Sequence, residues 1–417
     1  MNDIVQSIRK QFPILDLQVH GHPLVYLDHA STTHKPRCVV EREAEFYFKE
    51  NANVHRGIYW LSEKASSEFE AVRGKVREFI GARSDREIIF TRGTTEAINC
   101  VANSWGNANI REGDLVVVSR MDHHASFVTW QALCKRVGAR FEIAELDSEY
   151  QFDLNYFQRL MEKKPKLVSL PWVSNVLGVV NPIAQLSELA HAAGAKVLID
   201  AAQAVMHFPI NLRLLPNVDF MAFSSHKMCG PTGVGVLWGK SEILENMAPF
   251  QYGGDMILKV DDHSTEFNEI PYRFEAGTPN IAGTIGLGAA IDFLTDIGLD
   301  KIEKWDRELT SYAMSRLKEI TGLRLIGPSK LDGRVGVFSF VVDGVHPHDL
   351  AQFLDHQGLA VRAGHHCAQP LIHKLGLMAT TRASLSLTTT RAEIDALVSP
   401  LKAAREYFSE RKQKCRI

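Results

Sequence analysis

Two segments of this chain combine residue types that a chemical site needs and a core does not. In the first, the apolar run Met221-Ala222-Phe223 ends in Ser224-Ser225-His226-Lys227 and then a glycine-rich turn, Gly230-Pro231-Thr232-Gly233. Shortly before it, the apolar strand Lys196-Val197-Leu198-Ile199-Asp200 presents an acid at its carboxyl end, with the amide of Gln203 just beyond. A lysine that forms a Schiff base must be held partly desolvated at a sheet edge, where its amine gives up a proton readily. Pyridoxal phosphate, the cofactor that reacts with such a lysine, also needs a carboxylate on its pyridinium nitrogen so that the ring can draw electrons from a substrate. Asp200 and Lys227 are that pair in the expected order. Any one lysine beside a core strand is most often a surface residue. The acid, the amide, the Ser-x-His-Lys corner and the glycines together outweigh that reading.

The second segment is Val361-Arg362-Ala363-Gly364-His365-His366-Cys367-Ala368-Gln369-Pro370. An arginine and two histidines favour the thiolate of a cysteine when they lie close to it in space. A buried structural thiol is the commoner fate of an intracellular cysteine. This one sits instead in a polar loop bounded by glycine and proline. Arg382 follows, in Thr381-Arg382-Ala383-Ser384. Its fork of donors suits a carboxylate held by two parallel hydrogen bonds. From spacing alone, a surface ion pair is an equal reading of Arg382.

Further candidates fall at the ends of other apolar runs. Arg92-Gly93-Thr94-Thr95-Glu96 follows Ile88-Ile89-Phe90-Thr91. It is a glycine turn opening a helix, whose free N–H groups and dipole suit a phosphate. Many such turns merely cap a helix. Ser119-Arg120-Met121-Asp122-His123-His124 places an imidazole where it can stack on a flat ring, although a lone histidine there is more often packed or capping. A metal reading of that pair lacks further ligands at suitable spacing. Pro171-Trp172-Val173-Ser174-Asn175 adds an amide that can meet a phenolic oxygen. Each signal is modest; four strand ends meeting the needs of one cofactor are not.

These residues require a scaffold that gathers strand ends. Strand candidates at 87–91, 114–119, 167–170, 196–200, 220–224 and 235–238 alternate with helical patterns such as Ile183–Ala193, closed by Gly194. That alternation predicts an α/β fold, with a mainly parallel sheet covered by helices on both faces. Beyond about residue 295 the pattern changes to a charged helix from Asp300 to roughly Thr321, the strand 335–342, another helix and the Cys367 loop. The expected division is residues 21–295 as the larger domain, with 1–20 and 296–417 forming a smaller α+β domain.

With 417 residues, a net charge of −2 and 23% charged residues, the chain has no basic footprint for nucleic acid and no acidic tail. Residues 1–12 have apolar residues at helical spacing rather than the unbroken apolar core of a signal peptide, and no stretch approaches the ~18 apolar residues of a membrane span. The six cysteines (Cys38, Cys100, Cys134, Cys229, Cys367 and Cys415) are scattered without a C-x-x-C pair. Neither a disulfide framework nor a zinc site is therefore indicated. Apart from Cys367 they read as packing or surface residues, and Arg411–Arg416 as a solvated helix tail. The expectation is a cytoplasmic protein without a metal, bound to neither nucleic acid nor membrane.

From Tyr26-Leu27-Asp28 to Arg382, the chain resembles the group II, SUF-type cysteine desulfurases of the class V aminotransferase superfamily, which depend on pyridoxal phosphate. The matching motifs include Asn53-Val54-His55-Arg56, Arg92-Gly93-Thr94-Thr95-Glu96, Val173-Ser174-Asn175-Val176, Ser224-x-His226-Lys227, Glu275-Ala276-Gly277-Thr278-Pro279-Asn280 and the compact Arg362-x-Gly364-His365-His366-Cys367-Ala368 loop. Ala201 and Ser225 stand where glycine is common, and Leu387-Thr388-Thr389-Thr390 where an aromatic-Asn-Thr segment is usual. The resemblance implies a fold type I large domain with a seven-stranded sheet.

The same resemblance implies that Lys227 binds the cofactor and shuttles a proton, Asp200 pairs with the pyridinium nitrogen, and His123 stacks on the ring. Gln203 and Asn175 approach the phenolic oxygen. Thr94, Thr95, Ser224 and His226 surround the phosphate, with Thr278 reaching in from the partner of a homodimer. Arg382, helped by Asn175, holds the carboxylate of L-cysteine, while His55 and Arg362 line the site. Cys367 takes the sulfur as a persulfide, alanine leaves, and an acceptor protein collects the sulfur for iron–sulfur clusters or other products. Selenocysteine lysis, or another reaction of the superfamily, is the alternative; transamination and epimerisation need no thiol at Cys367. A non-catalytic scaffold of sulfur transfer is the alternative of another class, disfavoured by the presence of both Lys227 and Cys367.

Overall fold

A computed structural model describes residues 2–414. Cys415 and the end of the basic tail lie outside them. Seven strands build the central sheet: β1 (Ile88–Thr91), β2 (Leu115–Ser119), β3 (Arg140–Ala144), β4 (Leu167–Pro171), β5 (Lys196–Asp200), β6 (Phe220–Ser224) and β7 (Gly235–Gly239). Their order is β1-β7-β6-β5-β4-β2-β3, parallel except for β7, which runs against both neighbours. This is the expected α/β architecture, with one strand more than the apolar runs predict. The addition, β3, is a sheet edge with a half-exposed Arg-Phe-Glu-Ile-Ala sequence. It lacks the continuous apolar signature of an interior strand.

The sheet is apolar on both faces because successive side chains point to opposite sides. Val117, Val197, Ile199, Met221 and Phe223 join one buried cluster, while Val116, Val118, Leu198, Phe220 and Ala222 join another. Full burial of each large aliphatic or aromatic side chain contributes about 1.5–3 kcal/mol. Such strands are therefore stable only when helices cover both faces. The helices Thr94–Val101, His124–Val137 and Ile183–Ala192 follow β1, β2 and β4, each after a connection that carries polar residues at the strand's carboxyl end.

A second sheet is wholly antiparallel: β8 (Leu323–Ile326), β9 (Val337–Val342), β10 (Arg362–Gly364) and β11 (Thr380–Ser384), in the order β8-β9-β11-β10. It packs against the helices Leu299–Lys318 and Arg391–Lys414 in a separate apolar cluster. Val5, Val25 and Leu27 belong to that cluster too, and Val25–Tyr26 pairs in parallel with Leu359–Ala360. The segment 25–28 is thereby laid beside the strand that leads to Cys367, so chain ends remote in sequence are stitched together at one edge.

Candidate active site

The carboxyl ends of the central strands and the edge of the second sheet enclose a cavity of about 740 Å³, counting its mouth. Lys227, Asp200, Gln203, Asn175, His123, Thr94, Thr95, Ser224, His226, Arg362, Cys367 and Arg382 all line it. Ligands collect at this position in open α/β sheets, because the strand ends diverge there into loops.

Each side chain has a local reason to be where it is. Lys227 closes a single 3-10 turn after β6, and burial leads the causes that lower its pKa, with Arg382 and Arg362 adding repulsion and Asp200 and Cys367 opposing. A neutral amine is what an aldehyde requires. Asp200 ends β5, and its Oδ1 accepts a hydrogen bond from the Ala202 N–H at 2.9 Å. Burial raises its pKa, against the pull of the Lys227 charge. The guanidiniums of Arg362 and Arg382 share the cavity with Lys227 and the Asp200 carboxyl, which suits an anionic ligand.

Gly93 is the hinge of the turn between β1 and its helix. Its φ is 155°, and a Cβ on the neighbouring Gly235 would fall 2.4 Å from the Gly93 Cα. Side chains avoid that backbone region. Two glycines are needed for β1 and β7 to pass this closely. In the space they leave, the Thr94 N–H donates to Ser224 Oγ at 2.8 Å and the two hydroxyls meet at 2.7 Å. A helix N-terminus carrying two threonines thus meets a serine from the end of β6, an arrangement that suits a phosphate. His226 borders it, its pKa lowered to about 4 by burial, with the Lys227 and Lys35 charges adding to the effect.

His123 is the N-cap of its helix: Nδ1 accepts from the Ala125 N–H at 3.0 Å. That bond leaves Nε2 to carry the proton of the neutral ring. Burial first, then the charges of Lys227 and His124, lower its pKa to about 3. The ring is therefore uncharged at neutral pH, a plane against which an aromatic ligand can lie. Asp122, beside it, carries no sequence signal of its own. It is buried, its pKa is raised well above the carboxylate range by burial, and it accepts from the Ser119 N–H at 2.9 Å. That bond shapes the turn presenting His123.

The Cys367 loop is pinned from three sides. Cys367 O accepts from the His124 N–H at 2.7 Å, Asn175 Nδ2 donates to His366 O at 2.6 Å, and His124 Nε2 accepts from the Gln369 N–H at 3.0 Å. His366 and Cys367 both have left-handed backbones, with φ of 53° and 56°. For residues with side chains that conformation is uncommon and persists only where surroundings enforce it. The Cys367 side chain is half-buried at the cavity, while Cys100, Cys134 and Cys229 are buried in packing. Asn175 and Gln203 each spend an amide N–H on the protein, on His366 O and on Ala30 O.

Two residues singled out from the sequence are not brought to this cavity. His55 Nε2 meets Glu70 Oε1 at 2.9 Å in a neighbouring hollow with Arg56 and Tyr272. Thr278 lines a groove with Arg92, Glu96 and Gln251. Both hang on the buried Arg73, which bonds Glu70 Oε2 and Glu275 Oε1, each at 2.8 Å, while Glu275 also takes the Phe90 N–H at 2.7 Å. Ser31, by contrast, joins the site without any motif to announce it, together with Asp28 of the Tyr26-Leu27-Asp28 segment. Ser31 lines the cavity, and Asp28 Oδ1 bonds Arg382 Nη2 at 2.9 Å.

Fold and cavity together define a class, and comparison with known proteins gives the same one. The chain belongs to the class V aminotransferase family, whose description, Aminotransferase class-V, matches residues 25–397. It is 49% identical over 402 residues to a probable cysteine desulfurase of Halalkalibacterium halodurans, covering 96% of this chain and 98% of that one. Identity to a cysteine desulfurase of Klebsiella pneumoniae is 47% over 403 residues, again 96% and 98% of the two chains. Among solved structures, the apo cysteine desulfurase of Thermococcus onnurineus NA1 matches with a TM-score of 0.91 at 37% identity, over 96% of this chain and 98% of that one. The cysteine desulfurase CsdA of Escherichia coli matches with a TM-score of 0.89 at 38% identity, over 97% and 98%.

Proposed function

We propose that this protein is a pyridoxal-phosphate-dependent cysteine desulfurase that converts L-cysteine to L-alanine and keeps the sulfur as a persulfide on Cys367. The observation that carries the reading is a thiol and a deprotonation-prone lysine, from different sheets, lining one cavity. A transaminase site uses the lysine without the thiol. The atoms balance: substrate thiol plus enzyme thiol yields alanine plus enzyme persulfide, with no outside oxidant.

The residues present fit the cofactor. Lys227 Nζ would hold its aldehyde carbon, Asp200 its ring nitrogen, His123 its face, Gln203 and Asn175 its phenolic oxygen, and Thr94, Thr95, Ser224 and His226 its phosphate. When bound, that group supplies an electron sink that weakens the bonds around the substrate Cα and Cβ. The chain does the rest. Lys227 Nζ, kept poorly charged by burial, moves the Cα proton. Arg382 and Arg362 orient the carboxylate, and Cys367 Sγ attacks the substrate sulfur. Incubating the reconstituted protein with L-cysteine is expected to give alanine and enzyme-bound sulfur in equal amounts; transfer of the amino group to a keto acid instead would overturn the assignment.

The proposal extends to a homodimer in which Thr278 and His55 serve the neighbouring cavity. It is supported by their placement outside this chain's own cavity and by the exposed apolar side chains near His55 in sequence, Phe48, Ile58 and Trp60. Large apolar side chains left exposed in one short segment are of the kind that interaction sites bury. A ligand held across an interface stabilises the associated state. Losing one hydrogen bond to a charged phosphate costs roughly 1.5–3 kcal/mol. Thr278→Ala is accordingly expected to shed cofactor faster on dialysis while still sedimenting as a dimer. An active monomer, or unchanged cofactor retention, would remove Thr278 from the site. A protein sulfur acceptor, a cytoplasmic location, and the division into residues 21–295 against 1–20 with 296–417 belong to the same proposal.

A further inference from the structure

Arg362 and Arg382 face each other as direct partners across β10 and β11. Like charges in that register repel, so something between them must offset the cost. Arg382 Nη2 donates to Ser31 Oγ at 2.7 Å and to Asp28 Oδ1 at 2.9 Å, and Nη1 donates to Asn175 O at 3.1 Å. Arg362 Nη1 donates to the same Ser31 Oγ at 2.6 Å, while Ser31 Oγ gives its own proton to Asp28 Oδ1 at 2.7 Å. A hydroxyl has one proton to donate and two lone pairs. All three are spent.

An oxygen that accepts charge-assisted bonds from two guanidiniums stands where a carboxylate oxygen is best held. Both Nη2 protons of Arg382 are committed, its side chain is 1% exposed, and its Nε is buried without a partner. A carboxylate entering the cavity cannot engage Nη2 unless Ser31 or Asp28 lets go. Ser31 lines the cavity, is only partly buried, and needs no more than a rotation about one bond. Asp28 is tied down by the Ser31 hydroxyl and by a backbone bridge to Ser384.

We propose that Ser31 is a placeholder for the substrate carboxylate: its hydroxyl occupies the shared focus of Arg362 and Arg382 and is displaced when an amino acid binds. Ser31 thereby sets substrate affinity without touching the reacting atoms. This rests on the reading of the cavity as an amino-acid site.

The test uses the holoenzyme with two probes, L-cysteine for turnover and unreactive L-alanine for binding, followed through the visible absorbance of the bound cofactor. Removing the competitor in Ser31→Ala is expected to lower both the KM for L-cysteine and the Kd for L-alanine roughly fivefold, since about 1 kcal/mol of hydrogen bonding no longer has to be exchanged. kcat should move much less than KM. Ser31→Thr, which restores a hydroxyl, should return both constants toward the parent values. Unchanged or weaker binding of L-alanine by Ser31→Ala would overturn the placeholder role. Absence of alanine production from L-cysteine by the parent enzyme would instead overturn the desulfurase reading, leaving the L-alanine measurement to judge Ser31.

Discussion

Lys227→Ala is expected to abolish both the visible absorbance of lysine-bound pyridoxal phosphate and turnover of L-cysteine. Lys227 is the one lysine lining the cavity among the described residues, so no neighbouring amine stands ready to replace it. Its pKa is lowered chiefly by burial, an environment that surface lysines do not share. Proton transfer by a positioned group contributes on the order of 10²–10⁴ in rate, and loss of the covalent anchor adds to that. Borohydride reduction of the parent holoenzyme followed by peptide mapping should place the cofactor's mass on the peptide containing Lys227. A variant that kept the absorbance and still consumed cysteine would take Lys227 out of the mechanism.

Cys367→Ser separates the two halves of the reaction. The hydroxyl is smaller and far less nucleophilic than a thiolate. It nevertheless fits the same left-handed loop, whose carbonyls accept from the His124 N–H and the Asn175 side-chain amide. Cofactor binding, and the spectral change on adding cysteine, are expected to survive. Sulfur transfer from L-cysteine should fall at least on the order of a hundredfold, the scale on which deleting a nucleophile acts. With selenocysteine, whose carbon–heteroatom bond is weaker, part of the turnover should remain. In the parent enzyme, the Cys367 peptide should gain the mass of one sulfur atom after exposure to cysteine. Normal desulfuration by the serine variant would mean that another residue carries the persulfide.

The chemistry most legible in the sequence is the chemistry that is local. Asp200 and Lys227 each stand at the end of an apolar strand, and a parallel sheet brings adjacent strand ends together almost by construction. The same holds for the Gly93-Thr94-Thr95 turn and His123, whose roles as helix start and N-cap are written in their immediate neighbours. Runs such as Val116-Val117-Val118 have no polar side to show to water, so burial on both faces of the sheet follows from them. The edge strand Arg140–Ala144 escaped because a strand paired on one side only needs no such run.

What tertiary structure decided involves residues that meet from far apart. Arg362 and Arg382 become neighbours only through the register of β10 on β11, and Ser31 reaches them only because residues 25–26 pair beside Leu359–Ala360. A serine after an aspartate has no periodicity or spacing that announces two guanidiniums. Likewise His55 and Thr278 carry motif signals, yet their anchoring to Arg73, away from the cavity, is set by the packing of the helix Trp60–Ile80 against β1 and the 275–280 segment. Strand ends are determined by short-range hydrophobic patterning, which one stretch of chain specifies by itself. The partners of a buried charge are settled by whichever distant segments the completed core brings within hydrogen-bonding reach, since an unpaired guanidinium there costs too much to leave alone.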